Sequence, residues 1–218
     1  MNEIHPYNDY SSIPKGTRLL IIGTAPPKRF SNPRPDNWGP PPGDVDFYYG
    51  SKDNELWKVI LPKLYPALLA AGKELSIDQR RTFLKKKGFW MHDICQEYTR
   101  GRNSALDEDL IVSTCADLRR ILEEHPTINT LVFTGGLAEK LSGKQMEEQK
   151  LLEKYHFGAG GISSNPMPRR RTLSITVNQS ERNIHALTVP SPSPMSRRIY
   201  PFEETIELYR QALGQLQD

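Results

Sequence analysis

Four apolar residues in a row, Leu19 to Ile22, stop at Gly23, Thr24, Ala25 and two prolines, so RLLIIGTAPP reads as a buried strand closed by a sharp turn. Comparable strand-like runs follow at Phe89 to Ile94, Thr130 to Phe133, Leu173 to Val177 and Ile184 to Val189. Helix-like periodicity fills the stretches between: Glu55 to Leu69, Ile77 to Lys86, Asp107 to Glu124, Leu137 to Tyr155 and Phe202 to Leu216. Alternation of this kind predicts a three-layer α/β/α sandwich around a mainly parallel central sheet, because parallel neighbours need crossover connections. Leu173, Ile175 and Val177 alternate with Ser174 and Thr176, which suits a half-exposed edge strand or hairpin arm. Pro62 and Pro66 should break the helix after Asn54 into pieces.

With 218 residues the chain can bury a self-sufficient core, and one domain over 1–218, acting as a monomer, is expected. Its two cysteines, Cys95 and Cys115, lie in apolar surroundings and no signal-peptide pattern opens the chain, so a reducing, cytoplasmic setting is expected. No apolar stretch approaches a membrane span. The net charge is +3, but basic residues fall in runs: Lys85 to Lys87, Arg169 to Arg171, and Arg197 with Arg198. Two of these runs flank Pro- and Ser-containing loops, where side chains and backbone amides can face one phosphate together. Two Pro-rich loops, Pro26 to Gly43 and Pro190 to Pro194, follow strand ends, and in open α/β sheets function gathers there.

Several chemistries are excluded by the residues. Gly23 is not followed by the Gly-Lys-Ser/Thr of a phosphate-binding loop, and Gly158 to Gly161 follows a helix-like stretch rather than a strand, so no dinucleotide fingerprint is present. Two cysteines do not make an iron-sulfur ligand set, and Cys95, Cys115, His92 and His125 lack zinc-ligand spacing. There is no Gly-x-Ser-x-Gly elbow. No cofactor or metal is expected.

What remains resembles the uracil-DNA glycosylase superfamily, in order along nearly the whole chain. GTAPP at Gly23 to Pro27 is similar to the first motif of that family, and FYYGSKDNELWKVI at Phe47 to Ile60 to its aromatic, turn, Asn, Trp segment. GFWMHDI at Gly88 to Ile94, Arg100 and SALDEDLI resemble the hypoxanthine-type branch, close to the mismatch-specific one. TGGLAEKL at Thr134 to Leu141 resembles the strand-end Gly turn, and VPSPSPMSRR at Val189 to Arg198 the Ser-Pro loop that grips DNA. Two departures stand out. Ala25 occupies the place where several branches keep Asp, Asn or Glu to hold water, and Ser191 stands where the second motif usually begins with His.

The resemblance assigns the water-holding role to Asn54, with a helix cap ahead of Glu55 as its structural alternative. It puts Tyr49 where the family keeps its stacking ring, and Asp93 where the uracil-specific branch reads the base. Breaking an N-glycosidic bond builds positive charge on the sugar and negative charge on the base, so the site needs a positioned water and donors aimed at the base. Backbone amides of Thr24 and Ala25 can meet a base carbonyl, whereas Pro26 and Pro27 supply none. An ionised Asp93 only accepts hydrogen bonds, which favours deaminated bases carrying an imino hydrogen; its structural alternative is a helix cap or a salt-bridged Asp at the strand end, with Arg100 as a partner. His92 should point elsewhere as a satisfied histidine. Ser191, Ser193 and Ser196 offer hydroxyls and amides to phosphates, Met195 is an apolar tip able to wedge into a vacated stack, and Arg197 and Arg198 add charge.

The resemblance implies a monofunctional DNA glycosylase that uses water on uracil or hypoxanthine flipped out of DNA, in base excision repair. No lysine is placed for a Schiff base. Asp46 and Asp53 are the nearby groups that could replace Asn54. The alternatives are a non-catalytic DNA- or nucleotide-binding module on the same fold and an enzyme on free nucleosides.

Overall fold

The computed structural model describes residues 2–35, 38–70, 74–101, 109–156 and 167–214. Its strands are β1 (Glu3–Ile4), β2 (Leu19–Gly23), β3 (Phe89–Asp93), β4 (Cys95–Arg100), β5 (Leu110–Cys115), β6 (Thr130–Thr134), β7 (Arg169–Val177) and β8 (Ser180–Val189). A five-stranded sheet runs β3-β2-β6-β8-β7, with β7 alone antiparallel, and β1-β4-β5 form an antiparallel sheet of three. Helices flank the central sheet: α1 (Leu61–Leu64), α2 (Ala67–Ala70), α3 (Ile77–Lys87), α4 (Leu118–Glu124), α5 (Gly136–Glu148) and α6 (Phe202–Leu213).

Composition explains the layering. Leu19 to Ile22 on β2 and Leu131 to Phe133 on β6 are buried on both faces, as interior parallel strands between helices must be. Ile175 and Val177 on β7 are buried while Ser174 and Thr176 are exposed, and β7 is the antiparallel arm of a hairpin. Ser76 starts α3 with a capping box to Gln79, and Gly88 ends it at φ 69, a left-handed conformation in which glycine has no Cβ penalty. Pro62 opens α1 and Pro66 precedes α2, so the segment after Asn54 folds as a π-helical turn (Leu56–Ile60) followed by two short helices.

Two expectations are corrected. In its described part, from Asp109, the helix expected over Asp107 to Glu124 is a helix only from Leu118; Leu110–Cys115 is instead a strand paired with Cys95–Arg100, itself unanticipated. The run LIVSTC holds three β-branched residues, and an available antiparallel partner decides in favour of the strand. The helix expected to Tyr155 ends at Glu148, and the next stretch bends so that Tyr155 reaches back to Glu139. The stretch Gly158 to Gly161 and most of SALDEDLI lie outside the described residues, as does the end of the last helix beyond Gly214.

One buried ionic cluster ties the edge strand to α5. Glu139 accepts hydrogen bonds from Arg169 (Nε, 2.8 Å), Arg171 (2.5 Å) and the Tyr155 hydroxyl (3.2 Å). Burial alone would push the Glu139 carboxyl up, but the two guanidinium groups outweigh it and hold the carboxyl below its usual range. Glu139→Ala should therefore cost about 3–5 kcal/mol in denaturant unfolding, because a buried ion pair would lose its carboxylate. Since the folded-state pKa is depressed, this contribution is present at neutral pH and is lost as pH falls below the usual carboxylate range. Glu139→Gln should accordingly flatten the acid side of the stability profile.

Candidate functional site

Gly23 lies beside Asp93, and Thr134 beside Val189, so the carboxyl ends of β2, β3, β6 and β8 finish nearly level. The turn after β2 is pinned to the chain leaving β3: Ile94 N–H donates to Gly23 O (2.9 Å) and Cys95 N–H to Thr24 O (3.1 Å). Above these ends opens a cleft of about 200 Å³ lined by Thr24, Ala25, Tyr49, Asn54, Asp93, Thr134, Ser191 and Ser193, among others. Residues from both Pro-rich loops thus meet in one space.

Gly23 is required by close approach. A Cβ there would sit 2.3 Å from Asp93 Oδ1 and 2.5 Å from the Tyr49 hydroxyl, so these two polar atoms share the space over its Cα. Tyr49 reaches that point because its backbone is left-handed, φ 54, an uncommon conformation for a bulky residue. Phe47 and Tyr48 stay in the core, while the turn at Tyr49 sends its ring toward Thr134. Thr134 Oγ1 contacts Ile22 O (3.4 Å) and the Tyr49 hydroxyl (2.9 Å); if Thr134 donates to the carbonyl, Tyr49 donates to Thr134. Burial, together with the Asp93 charge, pushes the Tyr49 phenol well above its ordinary value, so it remains protonated.

Asp93 is held from a distance that no local pattern signals. His5 Nε2 lies 2.8 Å from Asp93 Oδ2, and Asn8 brackets the Asp93 backbone, donating to its carbonyl (2.9 Å) and accepting from its amide (3.3 Å). The partner anticipated for Asp93, Arg100, instead pairs with Glu3 (3.2 Å) and donates to Pro26 O (2.7 Å), bracing the turn after β2. His92 does point away from the cleft, but it is only half satisfied: Nδ1 lies 3.3 Å from the Tyr48 hydroxyl, and Nε2 has no partner among the described residues. Burial, aided by His5, lowers the His92 pKa to about 3, which keeps the ring neutral.

Asn54 sits where the loop enters the π-helical turn and at the wall of the cleft. Its Oδ1 accepts the Leu56 N–H at 2.9 Å, capping the π-helical turn, and the same side chain lines the cleft. The next residue joins this loop to the Ser-Pro loop, since Glu55 N–H donates to Pro192 O (2.9 Å) and its carboxylate holds Arg197 (2.5 Å). Arg197 therefore faces Glu55 and the Phe202 ring, whereas Arg198 is exposed and makes no ion pair among the described residues. Ser193 N–H donates to Ser191 Oγ (3.3 Å) and Ser196 Oγ donates to Ser191 O (2.6 Å), so serines and prolines stiffen this loop from within. Met195 is 48% exposed and Ile199 75%, giving the loop an apolar tip. Tyr209 on α6 anchors its start through Pro190 O (2.9 Å).

Of the two fallback carboxylates, Asp46 is occupied by the Tyr7 hydroxyl (2.6 Å) and Arg34 (2.9 Å) and does not line the cleft. Asp53 does line it, with Arg29 3.2 Å away. Arg29 went unanticipated. It grips Asp44 through two hydrogen bonds (2.6 and 3.0 Å) and Ser51 through a third (2.7 Å), fixing the loop between the first turn and Asn54. Among the described residues, no three His, Cys, Asp or Glu side chains gather as metal ligands would, and no helix is long and apolar enough to cross a membrane.

No protein-family model matches the chain, and no curated protein does. Among solved structures, the chain is similar to the solution NMR structure of a putative uracil DNA glycosylase from Methanosarcina acetivorans, with a TM-score of 0.57 and 14% identity, covering 95% of each chain. The two share a fold.

If the close contacts over Gly23 shape the cleft, Gly23→Ala should displace Asp93 or Tyr49 and cost about 1–3 kcal/mol in denaturant unfolding, the usual cost of overpacking. Unchanged stability would mean that both side chains can yield.

Proposed function

We propose that the cleft is the base pocket of a monofunctional DNA glycosylase that hydrolyses the N-glycosidic bond of a deaminated base, uracil or hypoxanthine, flipped out of DNA. The observation that carries this reading is the convergence of an acceptor carboxylate (Asp93), a strand-end turn (Thr24, Ala25), an aromatic ring (Tyr49) and a carboxamide (Asn54) in one cleft beside an exposed apolar loop tip. Asp93 Oδ1 accepts the imino hydrogen of the base, amides of the turn meet a carbonyl oxygen as negative charge builds on the leaving base, and Tyr49 packs against the ring. Asn54 Oδ1 has a second lone pair beyond the one taken by Leu56 N–H, and this orients the attacking water toward the sugar. Capping fixes the carboxamide and so assists the second task.

On the DNA side, Met195 and Ile199 fill the space left by the extruded base, and the Ser-Pro loop follows the phosphates. Arg198 carries phosphate contact. Arg197 serves the loop through Glu55 instead.

A non-catalytic binding module on the same fold is the second reading, and it is favoured by one observation: Ala25 lines the cleft where a polar side chain would hold water. Oligonucleotides carrying uracil, hypoxanthine, xanthine or a normal base, incubated with the protein and then cleaved at abasic sites by alkali, separate the two. Excision of no lesion would leave the binding module.

Asn54→Ala should lower single-turnover excision roughly a hundredfold or more, the scale of one lost transition-state contact, and also cost about 1 kcal/mol of stability through the lost cap. Asn54→Asp should keep the cap but change the rate. Wild-type rates in both variants would reduce Asn54 to a cap.

Affinity for DNA should fall as salt rises. Arg198→Ala should flatten that dependence by about one unit of slope, and Arg197→Ala by less. The reverse order would show that Glu55 releases Arg197 to the phosphates.

A further inference from the structure

The N-terminal segment reaches the cleft from outside the central sheet. β1 pairs with β4, Ile4 exchanges two backbone hydrogen bonds with Asn32 (2.9 Å each), and His5 N–H donates to Gln96 O (2.9 Å). His5 is thereby fixed with its side chain wholly buried, edge-on to Tyr7 and stacked on Tyr48, each ring 5.8 Å away. Tyr7 N–H donates to His5 Nδ1 at 3.2 Å. A ring nitrogen that accepts has no proton, so in the neutral ring the proton sits on Nε2, which faces Asp93 Oδ2 at 2.8 Å.

We propose that His5 is the positioning residue that makes Asp93 a selective reader of the base, by donating Nε2–H to Oδ2 so that Oδ1 alone is presented to the cleft, as an acceptor with a fixed direction. The inference rests on the glycosylase reading. A carboxylate held at one oxygen and at both ends of its backbone unit does not swing about χ2. With Oδ1 fixed over Gly23, a base that offers a ring N–H is bound, and a base that offers a bare ring nitrogen beside an amine meets lone pair against lone pair. Uracil and hypoxanthine belong to the first class, cytosine and adenine to the second. Freed from His5, the carboxylate can turn to accept from an exocyclic amine instead, and selectivity falls along with rate.

The test uses three proteins. His5→Phe keeps a ring against Tyr48 but removes the donor; His5→Gln restores a donor. Single-turnover excision from oligonucleotides carrying uracil or cytosine is measured for each, and unfolding is followed in parallel. His5→Phe should lose roughly ten- to hundredfold on uracil, the worth of one charge-assisted hydrogen bond, with a narrowed preference for uracil over cytosine. His5→Gln should recover most of both. A His5→Phe protein with wild-type rate and preference overturns the proposal, and so does a His5→Gln protein as impaired as His5→Phe, which would show packing alone to matter.

A second measurement needs no activity. Long-range nitrogen NMR of the wild-type protein should show His5 protonated at Nε2 and bare at Nδ1, and the Asp93 carboxyl carbon signal should move in His5→Phe. A proton on Nδ1, or an unmoved signal, sinks the role of His5 even if excision is robust. Failure of the wild type to excise any lesion sinks the glycosylase reading, while the NMR result still decides whether His5 positions Asp93.

Discussion

The parallel register of β2 with β3 is the constraint on which the rest depends. It sets Gly23 beside Asp93, and the hydrogen bonds from Ile94 and Cys95 back to Gly23 and Thr24 carry that alignment one step past the sheet. Because the strands are buried on both faces, their backbones have no water to turn to, and the polar groups of the departing loops must satisfy one another. The cleft is the space those loops leave. At Gly23, where a Cβ would meet both, a carboxylate and a phenol crowd the floor of the cleft.

Around this point the loops are tied by charge and by amides as well as by apolar packing. Arg29 with Asp44 and Ser51 stiffens the approach to Asn54, Arg197 with Glu55 joins that approach to the Ser-Pro loop, and Arg100 with Pro26 braces the first turn. The Arg100 guanidinium is buried and that of Arg29 half-buried, so their bonds are screened less than those of a surface pair, whereas Arg197 is exposed. The arginines of this chain therefore divide into those that build the cleft and those, like Arg198, that face outward. Counting basic residues in runs did not reveal that division.

The alternation of apolar strands with helical stretches was enough to anticipate the mainly parallel sheet and its flanking helices, since interior parallel strands have to be apolar throughout. The antiparallel arm at Leu173 to Val177 was legible in its period of two. By contrast, Leu110 to Cys115 was misread as helix: a short stretch with mixed periodicity takes the form its neighbour offers, and the neighbour, β4, was itself unrecognised.

The same split runs through the cleft. Local spacing and turn chemistry by themselves determined that Gly23 ends a buried strand, that Asn54 precedes a helical turn and that the Ser-Pro loop is stiff, because these properties depend on neighbours within a few residues. Only the tertiary structure decided that Asp93 is held by His5, 88 positions away, that Tyr49 takes a left-handed backbone to reach Thr134, and that Arg197 turns to Glu55. Hydrogen bonds between segments far apart in the chain leave no periodicity and no fixed spacing, and they exist only once the sheet has brought the strand ends level.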